Sequence, residues 1–217
     1  MDMQDYTLDE LRLELAPQIA KAAVFDGWGK EALTSVAQRS GVDPAVLDLA
    51  FPGGAMDMIA AWVASVDDRM KRELSADILQ TMPIRERIRA LVQFRLDAVE
   101  GLEEALRRAL AIQAMPQNVN RAMKLGWSSA DVMWRLAGDN ATDYNHYTKR
   151  ATLAAIYGAT LSVFISDESE DKRETRAFLD RRIEGVMRFE KFKGQLLRNR
   201  DGFSISRFLG RLRYPTT

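Results

Sequence analysis

The sequence predicts an all-α fold, a bundle of helices with a small three-helix head, and three observations carry that prediction. Apolar residues recur at three- and four-residue spacing almost throughout the chain. No run alternates β-branched with polar residues, and the breaks between periodic stretches carry glycine, proline and aspartate. With 217 residues, 47% of them hydrophobic, the chain can bury one substantial core or two small ones. The divisions expected are a head at 1–54, a body at 55–192 and a tail at 193–217.

The first helix opens at Thr7-Leu8-Asp9-Glu10, a capping-box spacing, and runs through Leu11, Leu15, Ile19 and Ala22 to the break at Gly27-Trp28-Gly29. A second helix, over about 31–40, stops at Gly41. Asp43-Pro44 starts a short third helix through Val46, Leu47 and Leu49, because proline is tolerated in a first turn, and Phe51-Pro52-Gly53-Gly54 ends it. A fourth helix is expected over about 56–79. Pro83 then opens one long helix with Ile84, Ile88, Leu91, Val92, Leu96, Val99, Leu102, Leu106 and Leu110 in a three-four repeat, and Pro116 ends it. Further helices are expected over 118–137, over 142–165, the most apolar of the chain, and over 175–192.

Cysteine is absent, which removes disulfides, thiolate metal sites and cysteine nucleophiles together. Residues 1–14 carry five acidic side chains against Arg12, the wrong charge for a secretory or transit leader, so no targeting segment is expected. No apolar run approaches the ~18 residues that a membrane span needs, and a soluble or peripheral protein is expected. The formal charge is zero but uneven. From Arg188 onward eight basic residues face Glu190 and Asp201, a net of +6, and the remainder of the chain carries −6.

The opening three helices, with Ala37, Gly41, Val42 and Leu47 at the turn and Phe51-Pro52 before a long helix, resemble the helix-turn-helix head of TetR-type transcriptional regulators. The resemblance implies a TetR-regulator-like helical bundle. A helix-turn-helix that reads DNA must meet phosphates and base edges with basic and hydrogen-bonding side chains. Here residues 41–68 contain no lysine or arginine, and Asp43, Asp48, Asp57, Asp67 and Asp68 are acidic. Phosphate neutralisation supplies essentially all non-specific affinity, so the head is expected to be an inherited scaffold and nucleic acid is not an expected partner.

The segment Gly138-Asp139-Asn140-Ala141-Thr142-Asp143-Tyr144-Asn145-His146-Tyr147-Thr148-Lys149-Arg150, followed by Tyr157 and Thr160, is similar to the lipid-binding accessory family numbered nine in coenzyme Q (ubiquinone) biosynthesis. Phe51-Pro52-Gly53-Gly54, the helix around Glu104 to Leu110, Trp127 with Trp134, and Phe178-Leu179-Asp180-Arg181-Arg182 support it, so that the similarity covers about 7–192. It implies a non-catalytic protein that binds isoprenoid quinone intermediates or phospholipid and presents them to a pathway hydroxylase. The implied docking region comprises Asp131, Met133, Trp134, Asp143, His146, Tyr147 and Arg150. One position departs, since relatives often carry tryptophan where this chain has His146. The residues by themselves give Thr142, Asp143 and Asp139 a plainer role at the start of a helix, by capping and by the helix dipole. Yet Asp143, Tyr147 and Arg150 share one side of that helix with His146 adjacent, and mixed aromatic and charged clusters suit an interface.

Leu153, Ile156, Tyr157, Leu161 and Phe164 form an apolar stripe, continued by Ile165, that is expected to line the body interior; plain core is the ordinary reading of such a stripe, and the resemblance makes it a lipid site. In the tail, Ile205, Phe208, Leu209 and Leu212 fall on one face of a short helix with Arg207 and Arg211 on the other, a pattern suited to an anionic membrane surface. His146 is the sole histidine. Paired at most with Asp143 it makes a poor metal site, no serine elbow accompanies it, and no phosphate or dinucleotide loop occurs. No cofactor and no enzyme activity are expected. A TetR-type ligand-responsive repressor stands as the alternative function. The expected setting is the cytoplasm of a bacterium, peripheral on the inner face of its inner membrane, with a homodimer as the expected assembly.

Overall fold

A computed structural model describes residues 6–139 and 144–202, and helices α1 to α10 account for most of them. Helix α1 (Leu8–Asp26) begins with the capping box in place: the Glu10 amide donates to the Thr7 hydroxyl at 3.3 Å, and the Thr7 amide donates to Glu10 Oε2 at 2.9 Å. Helix α2 (Lys30–Ser40) stops at Gly41, whose φ of +69° lies in the left-handed region that a side chain disfavours. Asp43 caps α3 (Pro44–Ala50) by accepting from the Ala45 amide at 2.8 Å. The exposed side of α3 presents Leu49, 67% accessible, and no cation.

Two helices read as continuous are broken. The fourth was expected to reach residue 79, but α4 (Ala55–Glu73) ends at Leu74, and α5 (Ala76–Gln80) restarts from an extended Ser75. Serine favours such non-helical starts because its hydroxyl competes for backbone groups. The long helix after Pro83 is α6 (Ile84–Asp97) and α7 (Glu103–Gln113), separated by a corner at 98–102 in which Gly101 takes φ +79°. The three-four repeat hides this corner because Val99 is buried in it and Leu102 packs on the core. Helices α8 (Val119–Leu136), α9 (Tyr144–Phe164) and α10 (Arg173–Gly202) follow, the last longer than expected at both ends.

Helix α1 packs on α4, α2 and α7, and α4 reaches α6 and α8. Helix α9 lies between α8 and α10, and α10 also lies on α6. One buried apolar cluster runs from Leu11 to Ile183. Trp28 fastens the head to α7 by donating its indole N–H to the Ala105 carbonyl at 2.9 Å. Inside the body, the guanidinium of Arg95 on α6 pairs with Asp67 on α4, donates to Ser129 Oγ on α8 at 3.1 Å, and lies 5.0 Å from the centre of the Tyr157 ring on α9. Four helices therefore meet at one buried cation.

The link from α9 to α10 turns on buried Asp167, which accepts from the amide and hydroxyl of Ser169 (2.9 and 2.6 Å) and of Thr175 (2.8 and 2.6 Å). Burial alone would raise its pKa, but the hydrogen bonds from Ser169 and Thr175 prevail and hold the carboxyl well below the ordinary range. No single helix among the described residues is long and apolar enough to cross a membrane.

Candidate lipid groove and docking patch

Where α6, α9 and α10 converge they leave a groove of about 300 Å³. Ile84 and Ile88 of α6, Leu153 and Ile156 of α9, and Ile183 and Val186 of α10 supply its apolar wall. Trp134 of α8 adds an aromatic side, and Arg85, Thr148, Lys149 and Thr152 bring polar groups into the same lining. Of the five residues read as lipid-binding, Leu153 and Ile156 line this groove. Tyr157 instead stacks on Arg95, and Leu161 and Phe164 are buried, the Lys172 ammonium standing 4.8 Å from the centre of the Phe164 ring. The aliphatic contributions of α6 and α10 were missed. Their i, i+4 and i, i+3 spacings were visible, but a single sequence does not say which helices converge.

The expected docking residues separate into two groups. Asp131, Trp134, His146 and Tyr147 reach the surface between α8 and α9, half-buried or, for Tyr147, 62% accessible. Met133 and Arg150, expected on that face, are buried instead, at 0% and 1% accessibility. The reason is helical phase: both point from their own helix into the seam between α8 and α9. Asp143 lies outside the described residues, as does any cap it or Thr142 forms. The membrane-docking residues Ile205, Arg207, Phe208, Leu209, Arg211 and Leu212 also lie outside them.

Arg150 is the hub of that seam. Its Nε donates to Asp131 Oδ1 at 2.5 Å and its Nη1 to Asp139 Oδ2 and the His146 carbonyl, both at 3.2 Å. Asp131 also accepts from Arg135 at 2.7 Å, and Asp139 from Lys149 Nζ at 2.7 Å. Asp139, expected beside the helix dipole, thus serves as an ion-pair anchor. Burial would raise both carboxyls, yet the pairs with Arg150 and Arg135 lower the pKa of Asp131, and those with Lys149 and Arg150 lower that of Asp139. Trp134 closes the seam by donating its indole N–H to the Lys149 carbonyl at 3.0 Å, and the Lys149 ammonium stands 5.3 Å from the centre of its ring.

Outside the seam lies an aromatic patch. The Trp127 ring is 6.0 Å from Tyr147 and 6.5 Å from His146, and His146 meets Tyr147 edge-on at 5.2 Å. Met123, one turn before Trp127, is 69% accessible and Val119 40%, which extends the apolar surface along α8. Among the described residues no group of three or more histidine, aspartate or glutamate side chains is placed to hold a metal ion.

Residues 119–190, the segment that carries the patch, the seam and most of the groove, match the model of the COQ9 family. The ubiquinone biosynthesis protein COQ9, mitochondrial, of Rattus norvegicus is 35% identical over 168 residues, covering 74% of this chain and 54% of that protein. Its Homo sapiens counterpart is 33% identical over 195 residues, covering 85% and 60%. The chain therefore spans somewhat over half the length of these relatives. Among solved structures, a TetR transcriptional regulator of Nitrosomonas europaea superposes with a TM-score of 0.64 over 80% of this chain and 96% of that one, and at 24% identity it shows the fold alone. These names correct one expectation, the bacterial inner-membrane setting: the curated relatives are mitochondrial proteins, and a bacterial setting is not shown. The resemblance carried by residues 138–150 holds, and the chain is a homologue of the COQ9 proteins built on a TetR-like fold.

Proposed function

We propose that this chain acts in ubiquinone biosynthesis as a lipid-binding accessory protein, holding the isoprenoid chain of a pathway intermediate in the α6–α9–α10 groove and docking a hydroxylase on the Trp127–His146–Tyr147 patch. The observation that carries this reading is the position of Trp134 and Lys149. Both line the groove, and both belong to the ion-paired seam whose outer side is the patch, all within the COQ9-matched segment. The chain's part is to bind and to orient, and oxidation of the lipid belongs to the partner. The basic amphipathic segment at 203–217 would bring the protein to the bilayer in which such lipids dissolve. The test is organic extraction of the purified protein followed by mass spectrometry, together with a pull-down of the hydroxylase. Co-isolated prenyl lipid and captured hydroxylase are expected; lipid-free protein from cells that make ubiquinone would refute the first half, and failure of wild-type protein to capture the enzyme the second.

A further inference from the structure

Helix α8 carries Val119, Met123 and Trp127 at four-residue steps, which places them along one side of it. Trp127 is half-buried beside Tyr147 and His146, and Met123 and Val119 continue its surface outward. The middle member of this line is a thioether, an apolar group that a mild oxidant converts into a polar one. Exposure singles it out: Met123 is 69% accessible, more than any other methionine whose side chain is described. Met56, Met58, Met70 and Met133 are buried at 4% accessibility or less, out of reach of a dissolved oxidant in the folded chain. Met115 is 43% accessible, but its sulfur accepts from the Gln117 amide at 3.5 Å, which engages a lone pair that an oxidant would take.

We propose that Met123 is an oxidation site that controls docking on the α8–α9 patch, the thioether permitting it and the sulfoxide opposing it. The proposal rests on the docking half of the reading above and adds its regulation. The oxidant is a peroxide. A lone pair of Met123 Sδ takes one peroxide oxygen, the O–O bond breaks, and the departing hydroxide collects the proton of the transferred oxygen and leaves as water. Sulfur is oxidised by two electrons and the peroxide is reduced by two. The product places a strong acceptor oxygen on a surface otherwise made of a valine and aromatic rings. A partner that covers this oxygen strips its water without returning a hydrogen bond, a cost that corresponds to about a tenfold loss of affinity. Methionine sulfoxide reductases restore the thioether, so the change is reversible.

The test treats the full chain with limiting hydrogen peroxide, removes the oxidant, and follows with peptide mass mapping and the hydroxylase pull-down. Met123 is expected to gain an oxygen before Met115 and well before Met56, Met58, Met70 and Met133, at unchanged far-UV helicity. Hydroxylase capture is expected to fall about tenfold and to return after a pair of methionine sulfoxide reductases has acted. Met123→Leu keeps an apolar side chain that peroxide does not oxidise, and its capture, compared with its own untreated sample, should not respond to peroxide. Met115→Leu should stay as sensitive as the wild type, and Met123→Gln, polar without any oxidant, should bind weakly from the start. Oxidation of Met115 before Met123 would overturn the assignment of the site. Equal capture by untreated and Met123-oxidised protein, or loss of capture in peroxide-treated Met123→Leu, would overturn the control and leave the docking reading standing. Failure of untreated wild-type protein to capture the enzyme would overturn the docking reading and the control with it.

Discussion

Arg95→Met is expected to be among the most destabilising single substitutions in this chain, and the structure sets the size of the effect. The guanidinium is 2% exposed and its partner Asp67 is 11% exposed at the side chain, so removing the cation leaves a carboxylate in a nearly dry site. Breaking a buried pair from one side costs about 3–5 kcal/mol. For a protein of this length each kcal/mol moves the melting temperature by roughly 2–4 °C, giving a drop of roughly 6–20 °C. Arg150→Met is the control: it is equally buried, yet Asp131 keeps Arg135 and Asp139 keeps Lys149, so no carboxylate loses its last cation and the cost should be nearer ~2 kcal/mol. The double variant Arg95→Met, Asp67→Leu removes both charges and should recover much of the loss. Thermal melts followed by circular dichroism decide it. If Arg95→Met costs no more than Arg150→Met, or the double variant is as unstable as the sum of the singles, the reasoning from uncompensated charge is wrong.

Tyr147→Ala and Trp127→Ala should weaken hydroxylase binding, by ~2 kcal/mol if these rings are central anchors, and Tyr147→Ala should leave the melting temperature within a degree or two because Tyr147 is largely exposed; unchanged affinity in both would move the docking surface elsewhere. Deleting 203–217 should abolish flotation with anionic vesicles and leave far-UV helicity of the body intact, and equal flotation of the truncated protein would contradict a membrane role for that segment. Asp167 has its folded pKa depressed, so its stabilisation is fully present above the unfolded value of ~3.9 and is lost as pH falls below it toward the folded value. Asp131 and Asp139 shift in the same direction. The melting temperature should therefore hold from pH 7 to about 5 and fall below about 4, with a shallower fall in Asp167→Asn; an identical acid slope in that variant would remove Asp167 from the account.

The head was legible nearly to the residue because its boundaries are chemical: Thr7 with Glu10, Gly41 and Asp43-Pro44 each act on the backbone next to them. The body's breaks at 74–75 and 98–102 were not, because there the apolar repeat continues through the corner and only Ser75 and Gly101 mark it. A repeat reports which side of the chain is greasy, and it reports the same thing whether the greasy side packs on a neighbouring helix or turns into a corner.

The site was legible by residue type and not by direction, and Arg150 shows why. Acid, aromatic and base at Asp143, Tyr147 and Arg150 marked a cluster, of which Asp143 lies outside the described residues, and the other two part company because one helical turn contains both an outward and an inward side. Tyr147 points to solvent and Arg150, three residues on, points toward α8, where Asp131 of that helix and Asp139 just beyond its end converge on it. Which way the turn faces is set by Ser129, Ala130 and Met133, the residues of α8 that are buried and bring the two helices together. The same rotation decides the groove: with Arg150 fixed in the seam, Lys149, Leu153 and Ile156 must face α6 and α10, and Tyr157 must face Arg95. A stripe that looked like one lining surface is thus divided between a groove wall, formed by Leu153 and Ile156, and the interior, where Tyr157 meets Arg95 and Leu161 and Phe164 are buried.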